Sequence, residues 1–190
     1  TEGSDLLIPS VGMNPLRTGL ILTLQEMGGD ITLENQRTEG GETVADLRVR
    51  HSQLWGIDVP PERAASMIDE YPILAIAATQ ADGVTRMLGV EELRVKETDR
   101  IAVVADGLLA AGGSVSYDED SMTVTGGGIA GGITIDSQHD HRIAMSFLTL
   151  GMVSVAPMSV TGCGTINTSF PGFADSMNAL SLIHISEPTR

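Results

Sequence analysis

The chain has 190 residues, 42% of them hydrophobic and 3% aromatic, with 22 glycines, one cysteine and 25 acidic against 11 basic side chains, for a formal charge of −14. A lone Cys163 excludes an internal disulfide scaffold and favours a reducing, cytoplasmic compartment, and no Cys/His cluster has zinc spacing. The acidic balance counts against nonspecific nucleic-acid binding, which depends on clustered Lys and Arg, and the longest apolar run, 143–160, is broken by Ser146, Thr149, Gly151, Ser154 and Pro157, so no membrane span is expected.

The sequence opens at Thr1 with no charged-then-apolar leader, as an internal fragment would. Residues 6–11 fit a short strand. The run RTGLILTLQEMGGDITL (17–33) places Leu20, Leu24 and Met27 at helical spacing, stops at Gly28-Gly29 and then alternates through Ile31 and Leu33, which predicts helix, glycine cap and strand. After a strand candidate at 47–50, Asp69 and Glu70 precede an almost wholly apolar helix over 72–79, expected to be buried on most sides. A strand is predicted over 85–90, followed by the charged run EELRVKETDR (91–100). DRIAVVADGLLAAGGSVSY (99–117) then repeats the first unit, with Val104, Leu108 and Ala111 at the same helical offsets, Gly112-Gly113 as the stop, and Val115 and Tyr117 as the strand. Strands at 122–125 and 132–135 lead to a second apolar helix over 141–150, likewise expected to be buried on most sides, and a strand at 158–160 follows. SFPGFADSMNAL (169–180) is a third copy, with Phe173, Met177 and Leu180 at the helical offsets and Pro171 in the first turn. The terminal SLIHISEPTR (181–190) holds neither the glycine pair nor the strand, and is expected to be non-native and poorly packed.

Repeating units of helix and short strand predict an α/β (α+β) fold, one domain over 1–180 with an incomplete third repeat and buried helices packed under sheets. The three repeat helices, around 15–27, 98–111 and 171–180, are expected to lie parallel and to share one core.

Charged residues gather where helices start. Thr98 and Asp99 read as a cap region flanked by Lys96, Glu97 and Arg100; Asp140, His141 and Arg142 open one apolar helix, and Asp69 stands before the other. A helix N-terminus carries unpaired N–H groups and about half a positive charge, so it suits phosphate or carboxylate ligands, and a guanidinium beside it makes an oxyanion clamp. Each element also has a plain structural explanation: 91–100 as a solvated face of ion pairs, Asp140 and Asp69 as caps, Arg142 as the partner of a surface carboxylate.

Five segments, VKETDR (95–100), DHRIAMSF (140–147), IDEYPILAIAA (68–78), MNPLRTGLILTLQEMGGDI (13–31) and TSFPGF (168–173), resemble the 5-enolpyruvylshikimate-3-phosphate synthase family over about residues 5–180. The resemblance implies enolpyruvate-transferase-like domains of repeated βαβαββ units with parallel buried helices, of which this chain is most of the C-terminal one, the upstream domain being absent. It implies transfer of the enolpyruvyl group of phosphoenolpyruvate to the 5-hydroxyl of shikimate 3-phosphate with release of phosphate, no metal or organic cofactor, no nucleic acid or membrane partner, and a monomer when complete. Carried over by motif, Asp69 holds and deprotonates the 5-hydroxyl, Glu97 protonates the methylene carbon, and Lys96 binds shikimate 3-phosphate and helps to move protons. Arg100 and Arg142 clamp phosphoenolpyruvate with His141 beside them. Two family ligand positions, an asparagine and a lysine in some relatives, hold Glu92 and Thr168 here, so those roles are not transferred.

Three alternatives stand beside this. A UDP-N-acetylglucosamine enolpyruvyl transferase performs the same chemistry on a sugar nucleotide, but that family lacks VKETDR paired with DHR. RNA 3′-phosphate cyclases use a similar unit, and the acidic charge counts against them. A non-catalytic repeat scaffold would scatter Asp69, Lys96, Glu97, Arg100 and Arg142 over different faces, whereas the enzyme gathers them in one concavity.

Overall fold

The computed structural model describes the backbone of residues 1–185 and the side chains of residues 1–180. Strand β1 (Asp5–Gly12), helix α1 (Gly19–Glu26) and the hairpin β2 (Asp30–Glu39) and β3 (Glu42–Arg50) come first. They are followed by β4 (Asp58–Val59), α2 (Tyr71–Thr79), β5 (Val84–Leu88), α3 (Arg100–Ala110), β6 (Ser114–Tyr117) and β7 (Ser121–Thr125). Then come β8 (Thr134–Asp136), α4 (His141–Gly151), β9 (Ser159–Thr161), the single turn α5 (Ile166–Ser169) and α6 (Phe173–Ile185). Short 3-10 turns at Pro61–Ser66, Ile68–Glu70 and Glu91–Val95 lead into the helices.

The strands pair as three small sheets, ordered β1-β3-β2, β4-β5-β7-β6 and β8-β9. The repeat is visible in this topology. In the middle sheet, β4 lies parallel to β5, while β5, β7 and β6 run antiparallel. The antiparallel trio recurs as β1, β3 and β2, and the parallel pair recurs as β8 and β9. The unit is therefore β4-α2-β5-α3-β6-β7, the expected βαβαββ. Among the described residues the first copy shows only its last four elements and the third only β, α, β and α.

The glycine stops act alike in both copies. Gly28 and Gly112 take left-handed φ values of 94° and 89°, conformations that cost a residue with a Cβ. The next amides fold back identically, Gly29 N–H to the Leu24 carbonyl and Gly113 N–H to the Leu108 carbonyl, each at 2.8 Å. These bonds satisfy carbonyls left open by the helix end and aim the chain into the following strand.

Helix α2 is buried over seven of its nine residues, as its unbroken apolar sequence predicts. Helix α4 is less enclosed than expected: Ile143, Ala144, Ser146, Phe147 and Leu150 form a buried stripe, while Met145, Leu148 and Thr149 are half-covered. Helices α2, α3 and α4 pack against one another at the centre. Gly107 allows α3 to approach α4 closely, because a Cβ there would stand 2.4 Å from the Phe147 ring.

The expectation of one core shared by the three repeat helices needs correction. Met27 of the first copy and Val104, Leu108 and Ala111 of the second do join one cluster, with Leu20 and Leu24 packed against it. Phe173 and Met177 of α6 instead form a second, smaller cluster with Ala144 and Ile166. An apolar stripe shows that a helix has a buried side but not which neighbour covers it, and here the centre is already filled by α2, α3 and α4. The expected end of the third helix at residue 180 is also overrun, since α6 continues to Ile185. The side-chain packing expected of 181–190 lies outside the described residues.

The first sheet is organised by one carboxylate. Both outer strands slip register, β1 between Ile8 and Val11 and β2 between Glu34 and Arg37, and Ser10 and Asn35 take left-handed φ values of 56° and 49° there. Asp46, on the central strand between the two irregularities, accepts from Ser10 N–H at 2.9 Å, Asn35 Nδ2 at 3.0 Å and Arg37 Nη1 at 3.0 Å. Led by the Ser10 amide, these donors hold its carboxyl at about 2, below the ordinary 3.8. Because the folded value is depressed, this stabilisation is complete above about pH 4 and is lost as pH falls towards 2. Asp46→Asn is therefore expected to lower the melting temperature at pH 7 by an amount that shrinks steadily between pH 4 and pH 2. An equal deficit at every pH in a thermal-melt series would refute this.

Candidate active site

The starts of the three central helices meet. Asp69 lies in the 3-10 turn that feeds α2, Asp99 caps α3 by accepting from Ala102 N–H, and Asp140 caps α4 by accepting from the N–H groups of Arg142 and Ile143. Just before Asp140, Gln138 and His139 hold left-handed φ values of 52° and 62°. Such conformations cost about 1 kcal/mol each or more, so packing that over-determines this loop holds the cap in place.

Arg100, the first residue of α3, links all three starts. It is 1% exposed and, among the described residues, is the largest fully buried side chain. Its Nε donates to Asp140 Oδ2 at 2.8 Å, its Nη1 to Asp69 Oδ1 at 3.1 Å and its Nη2 to Glu97 Oε2 at 2.5 Å. Asp140 is wholly buried and also accepts from Thr98 Oγ1 at 3.3 Å. Burial alone would lower the affinity of Arg100 for its proton, but the Asp140 hydrogen bond and the nearby carboxylates raise it above the ordinary value. Burial likewise opposes charge on Asp140, yet the Arg100 bond, followed by the α4 amides, holds its carboxyl below the ordinary range.

Around this pair stands a more exposed ring. Arg142 donates to the Asp69 carbonyl at 3.0 Å and to Glu70 Oε1 at 3.2 Å, and its Nη2 lies 3.8 Å from Asp69 Oδ2. Lys96 Nζ sits 2.5 Å from Glu92 Oε1 and 3.8 Å from Asp69 Oδ1. Against Asp69 and Arg142 opens a pocket of about 210 Å³ whose apolar wall includes Ile73, Met145, Phe170 and Phe173, the two phenylalanine rings meeting edge to face at 5.7 Å.

Asp69, Lys96, Glu97, Arg100 and Arg142 are thus gathered in one network, and the scattering that a scaffold would show is absent. His141 occupies the first turn of α4, half-buried, and among the described residues no ion pair joins it to the network. Sequence reasoning took Asp140 as a cap, which it is, but missed its bond to Arg100. It allowed for ion pairs within 91–100 and for a carboxylate beside Arg142 without naming Glu92 and Glu70 as the partners. The available signal was the i,i+4 spacing of Glu92 and Lys96, which survives although Glu91–Val95 is a 3-10 turn rather than an α-helix.

Residues 1–177 match the model of the family described as EPSP synthase (3-phosphoshikimate 1-carboxyvinyltransferase). The chain belongs to this family. It is 58% identical over 180 residues to the 3-phosphoshikimate 1-carboxyvinyltransferase of Cereibacter sphaeroides and 59% identical over 181 residues to that of a Chelativorans species, covering 94% of this chain and 40% of each relative. The EPSP synthase of Acinetobacter baumannii superposes with a TM-score of 0.91 at 45% identity over 94% of this chain and 42% of that one. The enolpyruvyl transferase NikO of Streptomyces tendae, at 16% identity and a TM-score of 0.69, shares the fold. The chain therefore spans about 40% of the length of the curated relatives it matches. Among the described residues no helix is long and apolar enough to cross a membrane.

Because Asp140 is sealed from solvent, removing its cation strands a buried charge. Arg100→Met is expected to cost about 3–5 kcal/mol of folding stability at pH 7, measured by urea unfolding. A loss below about 1 kcal/mol would show that the pair is dispensable.

Proposed function

We propose that this chain supplies one wall of a 3-phosphoshikimate 1-carboxyvinyltransferase site, moving the enolpyruvyl group of phosphoenolpyruvate to the 5-hydroxyl of shikimate 3-phosphate and releasing phosphate, in a cytoplasmic enzyme that is a monomer when complete. The observation that carries this is the convergence of Asp69, Lys96, Glu97, Arg100 and Arg142 at three helix N-termini in a chain of this family.

Asp69 takes the proton of the attacking hydroxyl while Glu97 delivers one to the methylene carbon, so that the oxygen adds at C2 and a tetrahedral intermediate forms. Loss of a proton from the new methyl group then expels phosphate and restores the double bond. Positive charge developing at C2 is met by carboxylates already in place. Lys96 and Arg142, with side chains 23% and 29% exposed, are the cations open to anionic substrates. Arg100 joins the phosphoenolpyruvate clamp only by exchanging Glu97 or Asp69 for the ligand, because both now occupy its outward N–H groups.

The charges of the network explain why one wall is not enough. Three cations, Lys96, Arg100 and Arg142, face five carboxylates, Asp69, Glu70, Glu92, Glu97 and Asp140. The local surface is thus not a free cationic pocket, and anion affinity should be weak until a second wall adds cations and excludes water. The 190-residue chain alone is accordingly expected to release no phosphate from the paired substrates. Joined to the remaining part of a relative, it should turn over, with Glu97→Gln and Asp69→Ala lowering kcat by about 10²–10⁴ and Arg142→Ala chiefly raising KM for phosphoenolpyruvate. A phosphate-release assay decides: turnover by the isolated chain, or full activity of Glu97→Gln in the completed enzyme, would sink these assignments.

A further inference from the structure

We propose that Asp140 is the positioning residue of this site: through Arg100 it sets where the carboxylates of Asp69 and Glu97 stand. The functional meaning of this rests on the reaction proposed above, although the geometry does not.

Asp140 is fixed from two sides. Oδ1 accepts from Arg142 N–H at 2.8 Å and Ile143 N–H at 3.3 Å, which ties the carboxylate to the first turn of α4. Oδ2 accepts from Arg100 Nε at 2.8 Å, and Arg100 Nη2 lies 3.4 Å from Oδ1, so both edges of the carboxylate meet the guanidinium. Two contacts on a planar group fix its plane. Once Nε and Nη2 are held, Nη1 points at Asp69 and the second Nη2 hydrogen at Glu97.

Exposure rises outward along this chain of contacts. The side chains of Asp140 and Arg100 are 0% and 1% exposed, and those of Asp69 and Glu97 are 34% and 51% exposed. The inner pair has no solvent with which to exchange. The outer carboxylates do, and can trade the guanidinium for substrate without moving it. The other charged groups facing Asp69, Lys96 and Arg142, are themselves half-exposed and stand 3.8 Å from its carboxylate, so Arg100 provides its closest charged contact.

A residue that merely caps α4 and one that anchors Arg100 differ in what Asn can replace. Asn caps helices as well as Asp does, but its single side-chain oxygen cannot both accept from the α4 amides and take Arg100 Nε on a second oxygen. The test uses the 190-residue chain labelled with ¹⁵N-arginine, the Arg100 Nε–H signal being assigned by its loss in Arg100→Lys. In the unaltered chain this proton should exchange with water at least about tenfold more slowly than those of exposed arginines, as a buried hydrogen-bonded group does. Asp69→Asn/Glu97→Gln should keep it slow, within about threefold, whereas Asp140→Asn should speed it about tenfold or more. Slow exchange retained in Asp140→Asn would reduce Asp140 to a cap. Equal acceleration in the double variant would show that the outer carboxylates hold Arg100, and that result overturns the proposal even if Asp140→Asn does not fold. In the completed enzyme, Asp140→Asn should lower kcat by about 10²-fold or more with KM for shikimate 3-phosphate, which Lys96 binds, changed less than about threefold. An unchanged kcat in an otherwise active enzyme would overturn the positioning role, while an inactive unaltered enzyme would count against the proposed reaction and leave the exchange result standing.

Discussion

Everything at the centre of this molecule depends on the buried ion pair between Arg100 and Asp140. Taking two charges out of water costs several kcal/mol per ion, which is recovered only with good geometry and further hydrogen bonds. Both conditions hold: Asp140 accepts from two helix amides and Thr98 as well as from Arg100, and Arg100 donates to three carboxylates. The pair also settles an electrostatic conflict. Three helix starts, each with about half a positive charge, would otherwise converge on three cationic side chains. The acidic residues that surround them are what allow α2, α3 and α4 to begin at one place.

Repetition accounts for how such a site arises. Asp69 and Asp140 stand at corresponding positions in two copies of the unit, each where the chain leaves the first strand of a parallel pair and enters the buried helix. Both bond to the same guanidinium, at 3.1 Å and 2.8 Å. Their environments have diverged: one copy is sealed and caps its helix, while the other stands in a 3-10 turn without capping and remains open to solvent. Duplicated geometry thus yields one aspartate sealed with the guanidinium and one that keeps a face to solvent. The glycine-capped helices tell the complementary story, since the position that is Arg100 in the second copy is Leu16 in the first, which is 73% exposed and has no comparable partner.

What the sequence revealed follows from range. Local patterns were legible: the glycine stops at Gly28 and Gly112, the enclosed helix after Asp69, and the caps at Asp99 and Asp140 all depend on residues within a turn or two of one another. The hairpin β2–β3 was read too short, because its outer half is polar and its register is set by Asp46 reaching two other strands. The neighbour of α6 was misjudged for the related reason that apolar offsets are blind to which helices already occupy the centre. At the site, motifs singled out residues that the fold brings together, but that Asp140 lies innermost among them could not be read from spacing because Arg100 and Asp140 are forty positions apart along the chain. Nor could net charge announce the neutralised wall, since Arg142 meets Glu70 from 72 positions away along the chain.

Lys96 is the only lysine in the sequence, and it sits in the ring around Asp69 with 23% of its side chain exposed. Amine chemistry therefore has one side-chain target in this chain, and that target lies inside the candidate site. Reagents that usually decorate many lysines would here modify one side chain besides the N-terminal amine, and attachment to a solid support through lysine would present every molecule with this face against the matrix. The same scarcity leaves the surrounding acidic exterior with no other lysine to blur its potential, so a fluorophore placed on Lys96 would report the approach of anions from a single fixed point.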